Sequence, residues 1–131
     1  MASLTSTQFI IELDKFADEE VPETVLEITQ KLALQGLRGV VLKSPVDTGR
    51  FMGNWTVAAE RVSLSTTTKV DKTGGSTINK GSALIFQLKP YQRVFISNNL
   101  PYALVLEFGG LNRRPNAMVA LTAAELEILF E

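Results

Sequence analysis

The stretch NNLPYALVLEFGG, residues 98–110, determines how the rest of the chain is organised. It follows residues 93–97, an apolar run of β-branched and aromatic side chains that is typical of a central strand. The two asparagines then end the run, because their short side chains tolerate left-handed backbone and bond to neighbouring amides. The sequence therefore predicts a strand that stops at a sharp corner.

A short apolar helix is predicted directly after that corner. Pro101 has the backbone φ of a first helical turn, and Asn99 is close enough to act as the N-cap. Residues 102–108 then make about two turns of helix, and Gly109 or Gly110 ends them with a positive φ. A strand and a helix this short cannot bury their own apolar side chains, so we expect the other elements to pack around them.

Length and composition bound the class of protein. The chain has 131 residues, of which 45% are hydrophobic and 21% are charged. These values predict one soluble domain, residues 1–131, with a single hydrophobic core. No apolar run approaches the roughly 18 residues of a membrane span, and no secretory leader pattern is visible, so we expect a cytoplasmic protein that does not contact a membrane.

The absence of cysteine and histidine shortens the list of chemistries. It removes disulfides, thiolate nucleophiles, the usual zinc ligand sets and every triad with an imidazole base. The glycines near residues 74–76 and 80–82 lack the preceding strand and the Gly-Lys-Ser/Thr ending of a phosphate-binding loop. We therefore expect no cofactor and no metal.

Asp47 and Glu107 are the acids with the most apolar sequence surroundings. A carboxylate pair can perform acid–base hydrolysis, and a small hydrolase is one alternative for the function. We prefer a structural role, in which Glu107 is partly buried and paired with Arg50, because a buried charge requires a partner.

The net charge of −1 conceals a segregation of charge along the chain. Residues 1–30 carry seven acids and one base, residues 31–114 carry twelve bases and four acids, and residues 115–131 carry three acids. Solvated helix faces explain this pattern, and so does a ring in which the acidic surface of one copy meets the basic surface of the next. The pI near 5.5 and the lack of a DNA-binding motif leave at most non-specific contact with DNA.

Two helices are predicted in the first third of the chain. The first runs from Thr5 or Ser6 to about Glu19, so that residues 1–21 form an acidic N-terminal helix. The second runs from Pro22 to about residue 43. Its apolar arc is wider than one small core requires, so we expect another subunit to cover the residues outside its main face. That set includes Leu34 and Val41.

The middle of the chain predicts a strand, a loop and a helix. The strand spans residues 51–64 with a bulge near Glu60, where the parity of the apolar positions changes. Residues 65–75 have the composition of a long exposed loop, which is either mobile or ordered by a partner. Ser76 or Thr77 then caps a helix that continues to about residue 88.

The chain ends in a basic loop and an apolar helix. Residues 111–114 form the loop, and the helix runs from Pro115 to the end, with Thr122 as an alternative cap. Leu129 and Phe130 lie directly before the terminus, so they must dock on the body of the protein or on another chain.

Several short blocks, taken together, carry a resemblance to a known family. They are SPVDTGR at residues 44–50, GNW at 53–55, VFISNNLPYA at 94–103, LEFG at 106–109, PNAMV at 115–119 and LT at 121–122. In this order and spacing they resemble the tail-completion, or neck, proteins of tailed bacteriophages, in the minor tail protein Z-like group. The match covers about residues 40 to 130. Its motif positions are Pro45, Asp47, Thr48, Gly49, Arg50, Trp55, Asn98, Pro101, Tyr102, Glu107, Gly109, Pro115 and Met118.

The resemblance implies a structural protein of the virion without enzymatic activity. Such subunits form a homo-oligomeric ring, expected here to be a hexamer, that completes the tail and joins it to the head. The implied partners are the tail tube or terminator and the head connector, with assembly in the host cytoplasm. The chain departs from the family after Gly110, because residues 111–114 replace a small polar segment. The tail terminator, which caps the tube, is a related alternative.

We therefore expect an α+β fold with a small antiparallel sheet packed against one long helix and several shorter helices. The candidate subunit-interface residues are Leu34, Val41, Lys69, Lys72, Arg113, Arg114, Leu129 and Phe130.

Overall fold

The structure is a computed structural model that describes residues 2–5, 8–11, 22–46, 48–110, 112 and 114–129. For residues 2–5, 8–11 and 129 it describes the backbone. Its helices and strands, in chain order, are β1 (Ala2–Thr5), β2 (Gln8–Ile11), α1 (Pro22–Leu42), β3 (Trp55–Ala59), α2 (Gly75–Ile85), β4 (Val94–Asn98), α3 (Ala103–Phe108) and α4 (Met118–Leu129). The predicted α+β class, with a small antiparallel sheet against one long helix and shorter ones, is confirmed.

The sheet has the strand order β1-β2-β4-β3, and every neighbouring pair is antiparallel. All five residues of β4 are buried, as expected for a strand at the centre of a fold. Val57 of β3 lies opposite Ile96 of β4, and both side chains belong to the hydrophobic core. The apolar run that precedes the deciding stretch thus forms the central strand.

The long helix α1 has the predicted bounds to within a residue, and it contacts both α2 and α4 closely. A Cβ atom at Gly81 of α2 would overlap Cδ2 of Leu37, and one at Gly39 of α1 would lie 2.5 Å from Cγ2 of Thr122 on α4. A side chain at either position would force the neighbouring side chain to move. Glycine therefore lets the three helices approach around the apolar face of α1.

The predicted N-terminal helix is wrong where the structure describes it. Residues 2–5 and 8–11 form an antiparallel hairpin, and β2 pairs with β4 in the register Phe9↔Ile96. The helical spacing of apolar residues was misleading, because β4 would otherwise expose the backbone donors and acceptors of its second edge. The rest of that predicted helix, residues 12–19, lies outside the described residues.

The strand predicted for residues 51–64 is shorter than expected. Met52–Asn54 is a 3₁₀ turn before β3, and Glu60 adopts a positive φ of 69° directly after it. The change of parity near Glu60 therefore marks the end of a strand and not a bulge within it. Beyond this point the chain leaves the sheet.

A buried junction joins the end of α1 to β3 and α4. The indole Nε1–H of Trp55 donates to Ser44 Oγ at 2.7 Å, and the Ser44 hydroxyl donates to the Val40 carbonyl at 2.7 Å. The sulfur of Met118 lies 3.4 Å from the same Oγ. Phe51 packs edge-on against the Trp55 ring at 5.9 Å. One hydroxyl thus satisfies the polar atom of the only tryptophan.

The substitution Ser44→Ala tests this junction. It leaves the buried indole N–H of Trp55 without an acceptor, so we expect the free energy of unfolding to fall by about 1–3 kcal/mol. In a double-mutant cycle with Trp55→Phe, the double variant should cost less than the sum of the single variants. Denaturant unfolding measures all four proteins, and Ser65→Ala, at an exposed hydroxyl, is the control. Additive effects of the two substitutions would contradict the assigned bond.

Candidate functional site

The corner between α3 and α4 is built around a buried glutamate. Glu107 is 1% exposed, and its two carboxylate oxygens accept the backbone N–H groups of Val119 at 3.0 Å and Ala120 at 3.2 Å. These amides belong to the first turn of α4, where N–H groups have no helical partner and the helix dipole favours negative charge. Glu107 therefore caps α4 from a different helix.

The predicted pairing of Glu107 with Arg50 is wrong. Arg50 is exposed, and no ion pair joins it to Glu107 in the described part of the chain. Amide donors satisfy the carboxylate in place of a cation. Both oxygens of Glu107 are occupied, which leaves it no contact with solvent for the acid–base role of the hydrolase alternative. Asp47, the other member of that pair, lies outside the described residues.

Two predicted caps have other roles. Asn99 makes no cap to α3; its Nδ2 donates to the carbonyl oxygens of Ser63 at 2.7 Å and Ser65 at 3.1 Å. Thr122 is buried within α4, which begins at Met118 and not at residue 115. Gly109, with φ of 83°, ends α3 as predicted.

The capped corner turns three side chains of α3 inward and leaves the others outside. Ala103, Leu106 and Glu107 are buried. The outer face of α3 is large and apolar, with exposures between 40% and 54%. We call this set the α3 face: Tyr102 (40%), Leu104 (48%), Val105 (45%) and Phe108 (54%). A helix that is apolar on both sides is typical of one covered on both sides.

Helix α4 has a similar excess of apolar side chains. Val119 and Leu126 are buried in the core, whereas Leu121 is 51% exposed and Ile128 is 73% exposed. The latter two lie seven residues apart, so they share one face of the helix. We expected the interface at the end of α4 to include Leu129 and Phe130. The side chain of the first and the whole of the second lie outside the described part.

The structure divides the remaining interface candidates. Val41 is 0% exposed and packs in the protein's own core, so its assignment to an interface is wrong. The loop before α2 covers it: a Cβ atom at Gly74 would lie 2.6 Å from Val41 Cγ1. Leu34 is partly buried against the same core. The lysines at 69 and 72 and Arg114 are exposed. Arg113 lies outside the described residues.

The segment predicted as the 65–75 loop is exposed, but its own chain anchors it. The side-chain amide of Asn54 donates to the Thr67 carbonyl and accepts the Thr67 N–H, both at 2.9 Å. The Asp71 N–H donates to the Gly49 carbonyl at 2.9 Å. Neither bond requires a partner molecule. We predicted a loop that is either mobile or ordered by a partner; the structure instead shows it bonded to its own chain.

The side chain of Asp71 bonds to the backbone amides at the start of α2, the role that we predicted for Ser76 or Thr77. Its carboxylate accepts the N–H groups of Gly74 at 3.0 Å and Thr77 at 2.8 Å. Burial raises the pKa of Asp71, but the hydrogen bonds from Thr77, Gly74 and Thr73 outweigh burial, so this pKa lies below its usual value.

A groove of about 440 Å³ lies between β3, residues 63–71 and α2. Serine and threonine side chains line much of it, and Lys69 and Lys80 line it as well. Neither lysine forms an ion pair with a described residue. The one acid in the lining is Asp71, whose oxygens are held by amides. The groove therefore combines apolar and hydroxyl side chains and presents positive charge.

Several of the motif residues make structural contacts. Trp55 forms the buried junction with Ser44, and the Asn98 side chain donates to the Phe51 carbonyl at 2.9 Å. Tyr102 packs against the Phe51 ring at 5.8 Å. Met118 and Glu107 join α3 and α4 to this centre. The motif residues that the structure describes at these positions thus hold the fold together.

Comparison of the chain with protein-family models, with curated proteins and with solved structures found no match. In the described part of the chain, no helix combines the length and the apolar character needed to cross a membrane.

The substitution Glu107→Gln tests the cap on α4. Glutamine offers one acceptor and places an NH₂ group against a backbone N–H, so we expect a loss of about 2–4 kcal/mol of unfolding free energy and faster amide exchange at Val119 and Ala120. Glu127→Gln, on the exposed side of the same helix, is the matched control. Unchanged exchange at both amides would show that the carboxylate does not cap α4.

Acid titration tests Asp71. Because its folded pKa is lowered, its contribution to stability is complete above its unfolded pKa of about 4 and is lost as pH falls through the folded pKa. Wild type should therefore exceed Asp71→Asn in unfolding free energy at neutral pH, and the gap should close below about pH 4. Lys72→Gln, at the next residue, controls for charge. A gap that stays constant down to pH 2 would contradict the assignment.

Proposed function

We propose that this protein is a structural subunit of the bacteriophage neck, which forms a homo-oligomeric ring at the top of the tail and joins the tail to the head. The observation that carries the proposal is the α3 face. Four large apolar side chains stand outside the core within seven consecutive residues, and two more project from α4. An exposed apolar surface of this extent is explained if a partner covers it.

The resemblance determines which kind of assembly we propose. Its motif blocks extend through the end of α1, β3, β4 and the α3–α4 corner, and the contacts of their described residues have structural roles. The protein is therefore proposed as a non-enzymatic component without cofactor. Its partners would be copies of itself, with six expected in the ring, together with the tail tube or terminator and the head connector.

A tail terminator is the related alternative, because a ring that caps the tube would need the same covered apolar faces. Labelling of the protein in intact particles, viewed by electron microscopy, distinguishes the two roles. A completion protein lies between the terminator and the head connector, whereas a terminator contacts the last ring of the tube. A label found away from the head–tail junction would contradict both.

The substitution pair Val105→Glu and Phe108→Glu tests the α3 face in solution. Both side chains are about half exposed, so we expect little loss of stability but a shift of the ring to monomers in multi-angle light scattering. Leu64→Glu replaces an apolar side chain that is 80% exposed elsewhere and is the matched control. A wild-type chain that remains monomeric at every concentration, with and without tail tubes, would contradict the proposed function.

A further inference from the structure

The edge of β3 that faces away from β4 is open in the sense that no described strand pairs with it. β3 is the last strand in the order β1-β2-β4-β3, and its sequence, Trp-Thr-Val-Ala-Ala, contains no charge and no proline. Natural sheets usually protect such an edge by charged residues, proline, a bulge or a covering element. An unpaired edge with high strand propensity is a ready template for another strand.

The register identifies which peptide groups point outward. The Glu60 N–H donates to the Arg93 carbonyl at 2.9 Å, which makes this a hydrogen-bonded pair. Pairs alternate along an antiparallel ladder, so Val57, opposite Ile96, is a non-hydrogen-bonded pair. Its N–H and C=O therefore point away from β4. No described residue forms a hydrogen bond with them.

That edge opens onto the groove. The lining includes both Thr56 and Val57, whose side chains lie on opposite faces of the sheet, so the boundary they share is the strand edge itself. Across the groove lie residues 63–71 and the exposed side of α2. The bridge from Asn54 to Thr67 holds one end of it together. The space beside β3 is thus a preformed channel for extended chain.

The charge of the groove selects an acidic occupant. Lys69 and Lys80 line it without ion pairs to described residues, and the oxygens of Asp71 are taken by amides. The chain itself carries a matching stretch, since residues 12–20 contain five acids and one base. Opposite charges on two different surfaces of one protein favour head-to-tail contact, which closes into rings.

We propose that the open edge of β3 and its groove bind the acidic stretch at residues 12–20 of a second copy of this chain. The inference rests on the proposed ring and states which surfaces meet in it. Main-chain hydrogen bonds to Val57 align the bound segment with β3. The positive charges of Lys69 and Lys80 make the groove selective for an acidic segment.

A charge-reversal experiment tests the pairing. The groove variant carries Lys69→Glu and Lys80→Glu, and the acid variant carries Glu12→Lys, Asp14→Lys and Asp18→Lys, which makes residues 12–20 net positive. Each variant alone should need an at least about tenfold higher concentration for half-assembly than wild type, because like charges then meet. An equimolar mixture should recover assembly, since each groove then finds a stretch of opposite charge. Arg38→Glu with Lys89→Glu, at exposed positions outside the groove, is the matched control.

Amide exchange at Val57 reports the strand contact separately from charge. We expect slow exchange in the assembled wild type and fast exchange in the diluted protein and in the groove variant. Assembly of both variants at the wild-type concentration, or a mixture that fails to recover it, would overturn the inference and leave the ring intact. So would slow exchange at Val57 in the dilute monomer, which would place the chain's own segment on the edge.

Two further outcomes would overturn the inference in distinguishable ways. If the groove variant assembles normally but loses binding to a DNA duplex or to tail tubes, the groove serves that partner and not a second copy. If the wild type never assembles, the proposed function fails and the inference fails with it. Light scattering on the wild type, measured first, distinguishes these cases.

Discussion

The carboxylate of Glu107, buried against the first turn of α4, is the interaction on which the rest of the structure depends. It occupies two amide donors that a helix start leaves without partners, and the carbonyls of Leu106 and Glu107 accept the N–H groups of Asn116 and Ala117 at 2.7 and 3.1 Å. These bonds fix the corner between α3 and α4. They bring Met118 beside Ser44, so the corner is joined to α1 and β3.

The same constraint determines the protein's surface. In a helix of six residues, the inward direction of Glu107 fixes which side chains point outward. In α3 the outward residues are apolar, and the fold offers nothing among the described residues to cover them fully. The excess of apolar surface is therefore a consequence of the cap and not an isolated feature. This link between a buried carboxylate and an exposed apolar face is our reason for proposing an assembly role.

The sequence predicted most of the fold because local signals and tertiary packing agree there. Pro22 and Ser44 delimit α1, and the strand before Asn98 reads correctly as central. The N-terminal hairpin was missed because its apolar spacing fits a helix as well as a strand, and the need of β4 for a second partner is a tertiary fact. The site was harder to predict. Glu107 was correctly predicted to be buried. We expected a cation as its partner, but its partners are backbone N–H groups in the first turn of α4.

The partners of polar loop residues lie beyond the reach of a single sequence. Composition alone presents residues 65–75 as an open loop, but the side chains of Asn54 and Asn99 and the backbone N–H of Asp71 anchor this region to backbone groups distant in the chain. Aspartate three or more residues before a helix was the available signal for the start of α2. The open edge of β3 could not be recognised at all before the strand order was known.

The central claim is that copies of this chain cover the α3 face of one another. Hydroxyl-radical footprinting of Tyr102 and Phe108, in dilute and in concentrated protein, tests it most directly. The account predicts strong labelling of both rings in the dilute protein and protection of both in the concentrated protein, while Leu64 is labelled equally in each. Equal labelling of Tyr102 and Phe108 at every concentration would contradict it.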